Sequence, residues 1–179
     1  VAHDSVDVWS APEQFLLDRN YNPTIVAGCP PDGFSVDGQL WGNPLYDWKK
    51  LKKDGYKWWI LRIKQMLTLV DYIRIDHFRG FEAFYSIPFG SKTAAKGKWK
   101  KGPGFNFFKR LNEEFGSLPI VAEDLGTLTE GVYKLLENTG FPGMKVLQFA
   151  FSTDEESEYL PHNHVKTAWF TQAPMIMTL

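Results

Sequence analysis

From Trp48 to Val70 the apolar side chains Trp48, Leu51, Tyr56, Trp59, Ile60, Ile63, Met66, Leu67 and Val70 recur at steps of three and four, with Lys and Arg between them. That period predicts amphipathic helix, and Gly55 predicts a break into two. At Tyr72-Ile73-Arg74-Ile75-Asp76 the alternation switches to a period of two, which predicts a strand. Asn106 to Phe115 places Phe107, Phe108, Leu111 and Phe115 on one side and stops at Gly116, a helix with a glycine end. Leu118 to Ala122 is a short apolar run and predicts a buried strand. Thr129 to Asn138 predicts a helix with Thr127 or Thr129 as N-cap, and Lys145 to Phe149 a further strand. Helix and strand alternate, so the predicted class is α/β with a parallel sheet.

Two stretches do not follow this rhythm. Val1 to Tyr46 carries Asn22-Pro23, Pro30-Pro31-Asp32-Gly33, Asp37-Gly38 and Gly42-Asn43-Pro44, a density of turn signals that predicts a long structured loop region. Lys92 to Gly104 is rich in Lys and Gly and reads as an exposed, solvated segment. Its lysines lack any phosphate-loop pattern.

Composition narrows the classes. Twenty Lys and Arg against 21 Asp and Glu give a net charge of -1, which argues against a nucleic-acid or anionic-membrane binder. No apolar run approaches the length of a membrane span. The single Cys29 excludes an internal disulfide, and no Cys/His cluster has zinc spacing. Val1 is not an initiator Met, which suggests a chain that begins earlier. Aromatic residues reach 16%, with seven Trp. Flat apolar rings serve a core, and they also suit the CH faces of pyranoses. Trp58-Trp59 lies in the helical pattern and reads as core, whereas Trp41 lies among turns and reads equally well as ligand-facing.

Asp76 and Glu123 each follow an apolar strand directly, where the working groups of parallel α/β folds sit. Arg74 and Asp76 share one face of their strand, with Ile73 and Ile75 on the other. A guanidinium beside a carboxylate favours its ionised form, which suits a nucleophile. The apolar run Pro119-Ile120-Val121-Ala122 gives Glu123 a dry base, which raises its pKa as a general acid requires. Two such carboxylates fit retaining glycoside chemistry, in which they lie about 5 to 5.5 Å apart. The same residues also read as turn and cap residues or as a structural ion pair, and Asp76-His77 as a weak metal pair. Spacing alone does not separate these.

Longer blocks are more specific. Gly28-Cys29-Pro30-Pro31-Asp32-Gly33-Phe34-Ser35 with Gly38-Gln39-Leu40-Trp41-Gly42-Asn43-Pro44-Leu45-Tyr46, then Arg74-Ile75-Asp76-His77-Phe78-Arg79-Gly80-Phe81, Val121-Ala122-Glu123-Asp124-Leu125-Gly126 and Phe141-Pro142-Gly143-Met144-Lys145-Val146-Leu147-Gln148-Phe149, together resemble the 4-α-glucanotransferase family. This is also called the amylomaltase or disproportionating-enzyme family, glycoside hydrolase family 77. The resemblance runs from Val1 to about Lys166. It implies a partial (β/α)₈ TIM barrel with a long inserted active-site loop region, and an α-1,4-glucan transferase acting between maltooligosaccharides. By the same resemblance Asp76 forms the covalent glucosyl intermediate and Glu123 is the acid/base. Arg74 and His77 flank the cleavage point, and Asp32, Phe34, Gln39 and Trp41 belong to the loop and glucan cleft. No cofactor or metal is implied, the expected partners are α-1,4-glucans rather than nucleic acid or membrane, and the family expectation for location is cytoplasmic. Gly33 stands where many members carry an aromatic residue, which weakens the stacking contact expected there.

A larger departure lies at the C-terminus. The family carries a third carboxylate on a Thr-His-Asp-Asn motif soon after Leu-Pro-His-Asn. Here Leu160-Pro161-His162-Asn163 is present, but no Asp follows. The genetic code offers a cause. A frame starting on the third base of the Lys166 codon can read Asn-Cys-Met-Val-Tyr-Thr-Gly-Thr-His-Asp-Asn-Asp-Thr, with its Val and its first and last Asp forced by the residues present. The expectation is a central barrel segment over 1–166 and an out-of-frame tail over 167–179; a genuinely divergent end is the alternative. The coding DNA decides, because the motif's His requires a Pro174 codon ending in C. Lacking the third carboxylate, the isolated chain is expected to be inactive. The alternatives are a non-catalytic α-glucan-binding remnant, which would keep amylopectin affinity in Asp76→Asn and lose it in Trp41→Ala, and an α-amylase-type hydrolase, which would give no acceptor-dependent product ladder.

Overall fold

In a computed structural model, residues 1–33, 35–126, 128–151, 157–164 and 167–171 are described. A short helix α1 (Val6–Ser10) leads into β1 (Ile25–Cys29) and β2 (Gln39–Pro44). The predicted helical stretch is two helices, α2 (Trp48–Lys53) and α3 (Lys57–Met66). Asp47 caps the first by accepting from the Lys49 and Lys50 amides at 3.2 and 3.1 Å. Gly55 (φ 74°) and Tyr56 (φ 59°) both take left-handed backbone, which turns the chain between them.

Strand β3 (Ile73–Ile75) follows, then β4 (Ala83–Pro88) and β5 (Lys98–Lys101), helix α4 (Phe105–Phe115), β6 (Ile120–Ala122), α5 (Glu130–Thr139), β7 (Met144–Val146) and β8 (Trp169–Thr171). Two parallel pairs form, β3–β6 and β7–β8. The β3-to-β6 connection contains α4, the crossover that a parallel pair needs. All three residues of β6 are buried, as expected of a strand covered on both faces. Thr129 precedes α5 without a side-chain cap bond; Thr127 lies outside the described residues.

Three expectations need correction. Val1 to Tyr46 is not loop throughout: β1 and β2 join β4 and β5 in an antiparallel sheet of order β2-β1-β4-β5. Within the Lys-rich segment, Lys98 to Lys101 is a strand exposed at every position, held where Trp99 meets Tyr85 edge-on at 5.3 Å and carries the Arg79 guanidinium at 4.3 Å. The last predicted strand lies earlier, at Met144–Val146, and Leu147–Phe151 is a 3₁₀ turn.

The main core joins α2, α3, α4, α5, β3 and β6. Leu51, Ile63, Phe78, Phe107, Leu111, Ile120 and Val132 are sealed within it. Trp48, Trp58 and Trp59 pack against it, as the helical spacing predicts. Ile73 and Ile75 face this core, so Arg74 and Asp76 are turned to the opposite side.

Candidate active site

The parallel register Ile75↔Ala122 makes β3 and β6 end side by side. Asp76 and Glu123 therefore emerge next to each other at the same strand-end rim. The Glu123 amide donates to the Ile75 carbonyl at 2.9 Å, and the Phe78 amide donates to the Glu123 carbonyl at 3.0 Å. These bonds lock the two strand ends together.

Glu123 is gripped at both oxygens by backbone. The His77 amide donates to its Oε2 at 2.8 Å and the Leu125 amide to its Oε1 at 3.0 Å. His77 can aim its amide this way because its backbone is left-handed, with φ 51°. That conformation is uncommon for a residue with a side chain and is held by its surroundings. Burial pushes the Glu123 carboxyl above its usual range, the two amides and Arg74 oppose the shift, and Asp76 adds to it. Burial wins.

Asp76 makes an ion pair with Arg74. The carboxylate is 75% exposed, so the pair orients two side chains and contributes little to stability. His77 is different. Its imidazole is pushed down to about 4, chiefly by burial and next by Arg79, with Asp76 opposing. The ring is therefore neutral at pH 7 and can both donate and accept a hydrogen bond. Trp41 meets it edge-on, with centroids 4.8 Å apart, and Gly80 also lies against the ring, where an added Cβ would approach Cδ2 to 3.1 Å.

A cavity of about 790 Å³ opens here, and Trp41, Arg74, Asp76, His77 and Glu123 share its wall. Asp32 and Gln39 do not line it. Gln39 acts one step back, its Oε1 accepting from Trp41 Nε1 at 3.0 Å. Asp32 shapes a turn, where its Oδ1 accepts from the Ser35 amide at 2.8 Å. Phe34 lies outside the described residues. Among the described residues no group of three or more His, Cys, Asp or Glu is placed to hold a metal ion.

The His77 environment makes a prediction. Its folded value lies below the unfolded one of about 6.5, so the unfolded state binds more protons between pH 4 and 6.5. The penalty is absent above 6.5 and grows as pH falls towards 4, reaching up to about 3 kcal/mol. His77→Asn, which tolerates left-handed backbone, should flatten this part of the stability-pH curve. Urea midpoints at pH 7 and pH 5 check it; parallel curves for the two proteins would refute it.

The model of the 4-alpha-glucanotransferase family (glycoside hydrolase family 77) matches residues 1–173. The chain belongs to this family. It is 57% identical over 162 residues to the 4-alpha-glucanotransferase of Streptococcus pneumoniae, covering 90% of this chain and 32% of that protein. Against the Thermus thermophilus 4-alpha-glucanotransferase it is 52% identical over 164 residues, covering 92% and 33%. The chain thus spans about a third of the length of these curated relatives. Among solved structures, Streptococcus agalactiae amylomaltase in complex with acarbose superposes with a TM-score of 0.91 at 46% identity, over 95% of this chain and 34% of that one. Corynebacterium glutamicum amylomaltase shares the fold at TM-score 0.74 and 24% identity, over 88% and 21%.

Side-chain patterning carries no mark of the backbone donors in this family member. The amides of His77 and Leu125 hold Glu123 more directly than any side chain does. A visible signal existed for neither amide, since every non-proline residue carries one. Gly80 was legible only as part of the Arg74-to-Phe81 block.

Proposed function

We propose that the enzyme to which this segment belongs is a retaining 4-α-glucanotransferase built on a (β/α)₈ barrel. The observation that carries this is the Ile75↔Ala122 register, which brings Asp76 and Glu123 to one rim in contrasting environments, one exposed beside Arg74 and one half-buried. Asp76 attacks the anomeric carbon of a maltooligosaccharide while Glu123 gives its proton to the departing 4-oxygen. A covalent glucosyl-Asp76 ester and a shortened glucan result. Glu123, now a carboxylate, takes the proton of the acceptor's 4-hydroxyl, whose oxygen displaces Asp76 and makes a new α-1,4 bond. Arg74 and neutral His77 flank the sugar at the cleavage point, and Trp41 belongs to the glucan cleft. Gln39, on β2, holds the Trp41 indole from behind, and Asp32 and Phe34 belong to the segment before β2 that helps to keep water from the ester. A cytoplasmic location belongs to the same reading and rests on the family resemblance alone.

The tail is part of the proposal. Residues 142–144 bond to Ala122 and Asp124 in the same chain direction as β6, and β8 runs parallel to β7 with Val146 opposite Thr171, so β8 ends on the side where β6 leads into Glu123. The shifted frame puts Met-Val-Tyr, equally suited to a strand, in place of Trp169-Phe170-Thr171. Its Thr-His-Asp then replaces Pro174-Met175-Ile176. The 179-residue chain as it stands should release no detectable glucose from maltotriose, whereas a full-length, frame-corrected polypeptide should release glucose and build a ladder of longer products. Activity of the uncorrected chain equal to that of the corrected enzyme would overturn the proposal, as would glucose without a ladder.

A further inference from the structure

The two parallel pairs are not joined by a regular ladder. Between β6 and β7 the Ala122 amide donates to the Pro142 carbonyl at 2.9 Å. In a regular parallel pair the Met144 amide would return the bond to the Ala122 carbonyl. It donates instead to Oδ1 of Asp124, at 2.7 Å. The carboxylate lies hard against Gly143, where an added Cβ would fall 2.3 Å from Oδ2. The Gly143 carbonyl in turn accepts from the Trp169 amide, the start of β8, at 2.7 Å. Pro142, Gly143 and Met144 are thus one junction, tied to β6 on one side and β8 on the other, and a side chain supplies one of its bonds.

We propose that Asp124 is a positioning residue, a side-chain splice that sets the β7–β8 pair relative to β6 and so the distance from Glu123 to the rim beyond β8. Its importance for transfer rests on the functional reading above. The splice itself rests on geometry alone. Asp124 adjoins Glu123, so a displaced carboxylate would move both the acid/base and the junction. Lys145 and Glu158, paired with each other, and Tyr159, over whose ring the Lys145 ammonium lies at 5.3 Å, are the other titratable groups nearby. Burial raises the Asp124 carboxyl and the Met144 amide opposes that rise, as expected for a carboxylate kept half-buried by one strong backbone donor.

Amide exchange and carboxyl titration by NMR on the whole 179-residue chain test the splice. In Asp124→Ala the Met144 and Trp169 amides should exchange at least about tenfold faster, the loss expected for a bond to a charged acceptor, while the β3–β6 amides stay protected. Asp124→Asn, which keeps an acceptor oxygen, should restore most of that protection. The Glu123 titration midpoint should move in Asp124→Ala and return towards wild type in Asp124→Asn. Both variants remove the charge, so this difference reads position. Unchanged Met144 exchange in Asp124→Ala, or equal loss across β3–β6, overturns the proposal. If Asp124→Ala does not fold, pH decides: a Met144 amide shift that titrates in wild type and is flat in Asp124→Asn supports the splice, and a flat wild-type shift overturns it. Failure of the frame-corrected enzyme to transfer glucan would sink the functional reading and leave these measurements untouched.

Discussion

Phe107→Ala should cost about 3–5 kcal/mol of folding stability, the range for removing a fully buried Phe. Phe107 on α4 has no exposed surface and its ring lies 5.0–5.7 Å from those of Trp48, Tyr56, Trp59, Phe81 and Phe108. Five bulky neighbours, themselves packed against one another, cannot collapse into the space left. The loss therefore combines transfer free energy with a cavity that stays open. Total stabilities of about 5–15 kcal/mol are usual, so such a loss is a large share. With a urea slope of about 2 kcal/mol per M, the midpoint should fall by about 2 M at unchanged slope. Leu61→Ala, on the outer face of α3 with 65% of its surface exposed, should change stability by less than about 0.5 kcal/mol. A Phe107→Ala loss as small as that of Leu61→Ala would refute the packing account.

The contrast between α4 and β5 explains what could be read in advance. Phe107, Phe108 and Leu111 repeat at helical spacing and are buried, so the helix and its inner face were legible from local pattern alone. Lys98-Trp99-Lys100-Lys101 has no buried position, and β2 has five exposed residues of six. Those strands exist because distant partners hold them: Gly28 opposite Leu40, Ala83 opposite Lys101, and the Ser86 hydroxyl donating to the Lys98 carbonyl at 2.9 Å. Pairing of that kind leaves little trace in hydrophobic period. The site divides the same way. Asp76 and Glu123 stood out as polar residues closing apolar strands, and the parallel register was needed to bring them together. The left-handed turn at His77 had no marker, because glycine or asparagine is the usual signal and neither is present. Trp41 was ambiguous among turns; its place on β2 against His77 follows from a sheet that its own neighbours do not announce.

Glu123→Gln in the frame-corrected enzyme should lower transfer from maltotriose by about 10²–10⁴-fold, the usual contribution of a positioned acid/base. Gln cannot give a proton to the leaving oxygen or take one from the acceptor. It also fits the site imperfectly. Both Glu123 oxygens accept backbone amides, from His77 and Leu125, and an amide side chain must turn its NH₂ towards one of them. Two readouts separate lost chemistry from lost shape. A glucosyl fluoride donor needs no protonation to depart, so attack by Asp76 should survive and the ester should accumulate. The loss on that donor should be much smaller than on maltotriose in the first step. The second readout is pH. On the proposed mechanism wild-type donor cleavage requires a protonated Glu123, so its rate should fall as pH rises through a carboxyl value that burial has raised. In Glu123→Gln that basic limb should vanish while the residual rate stays flat. An equal loss on both donors would mean that the substitution has disturbed the rim, and a basic limb that persists in the variant would assign the acid role to another group.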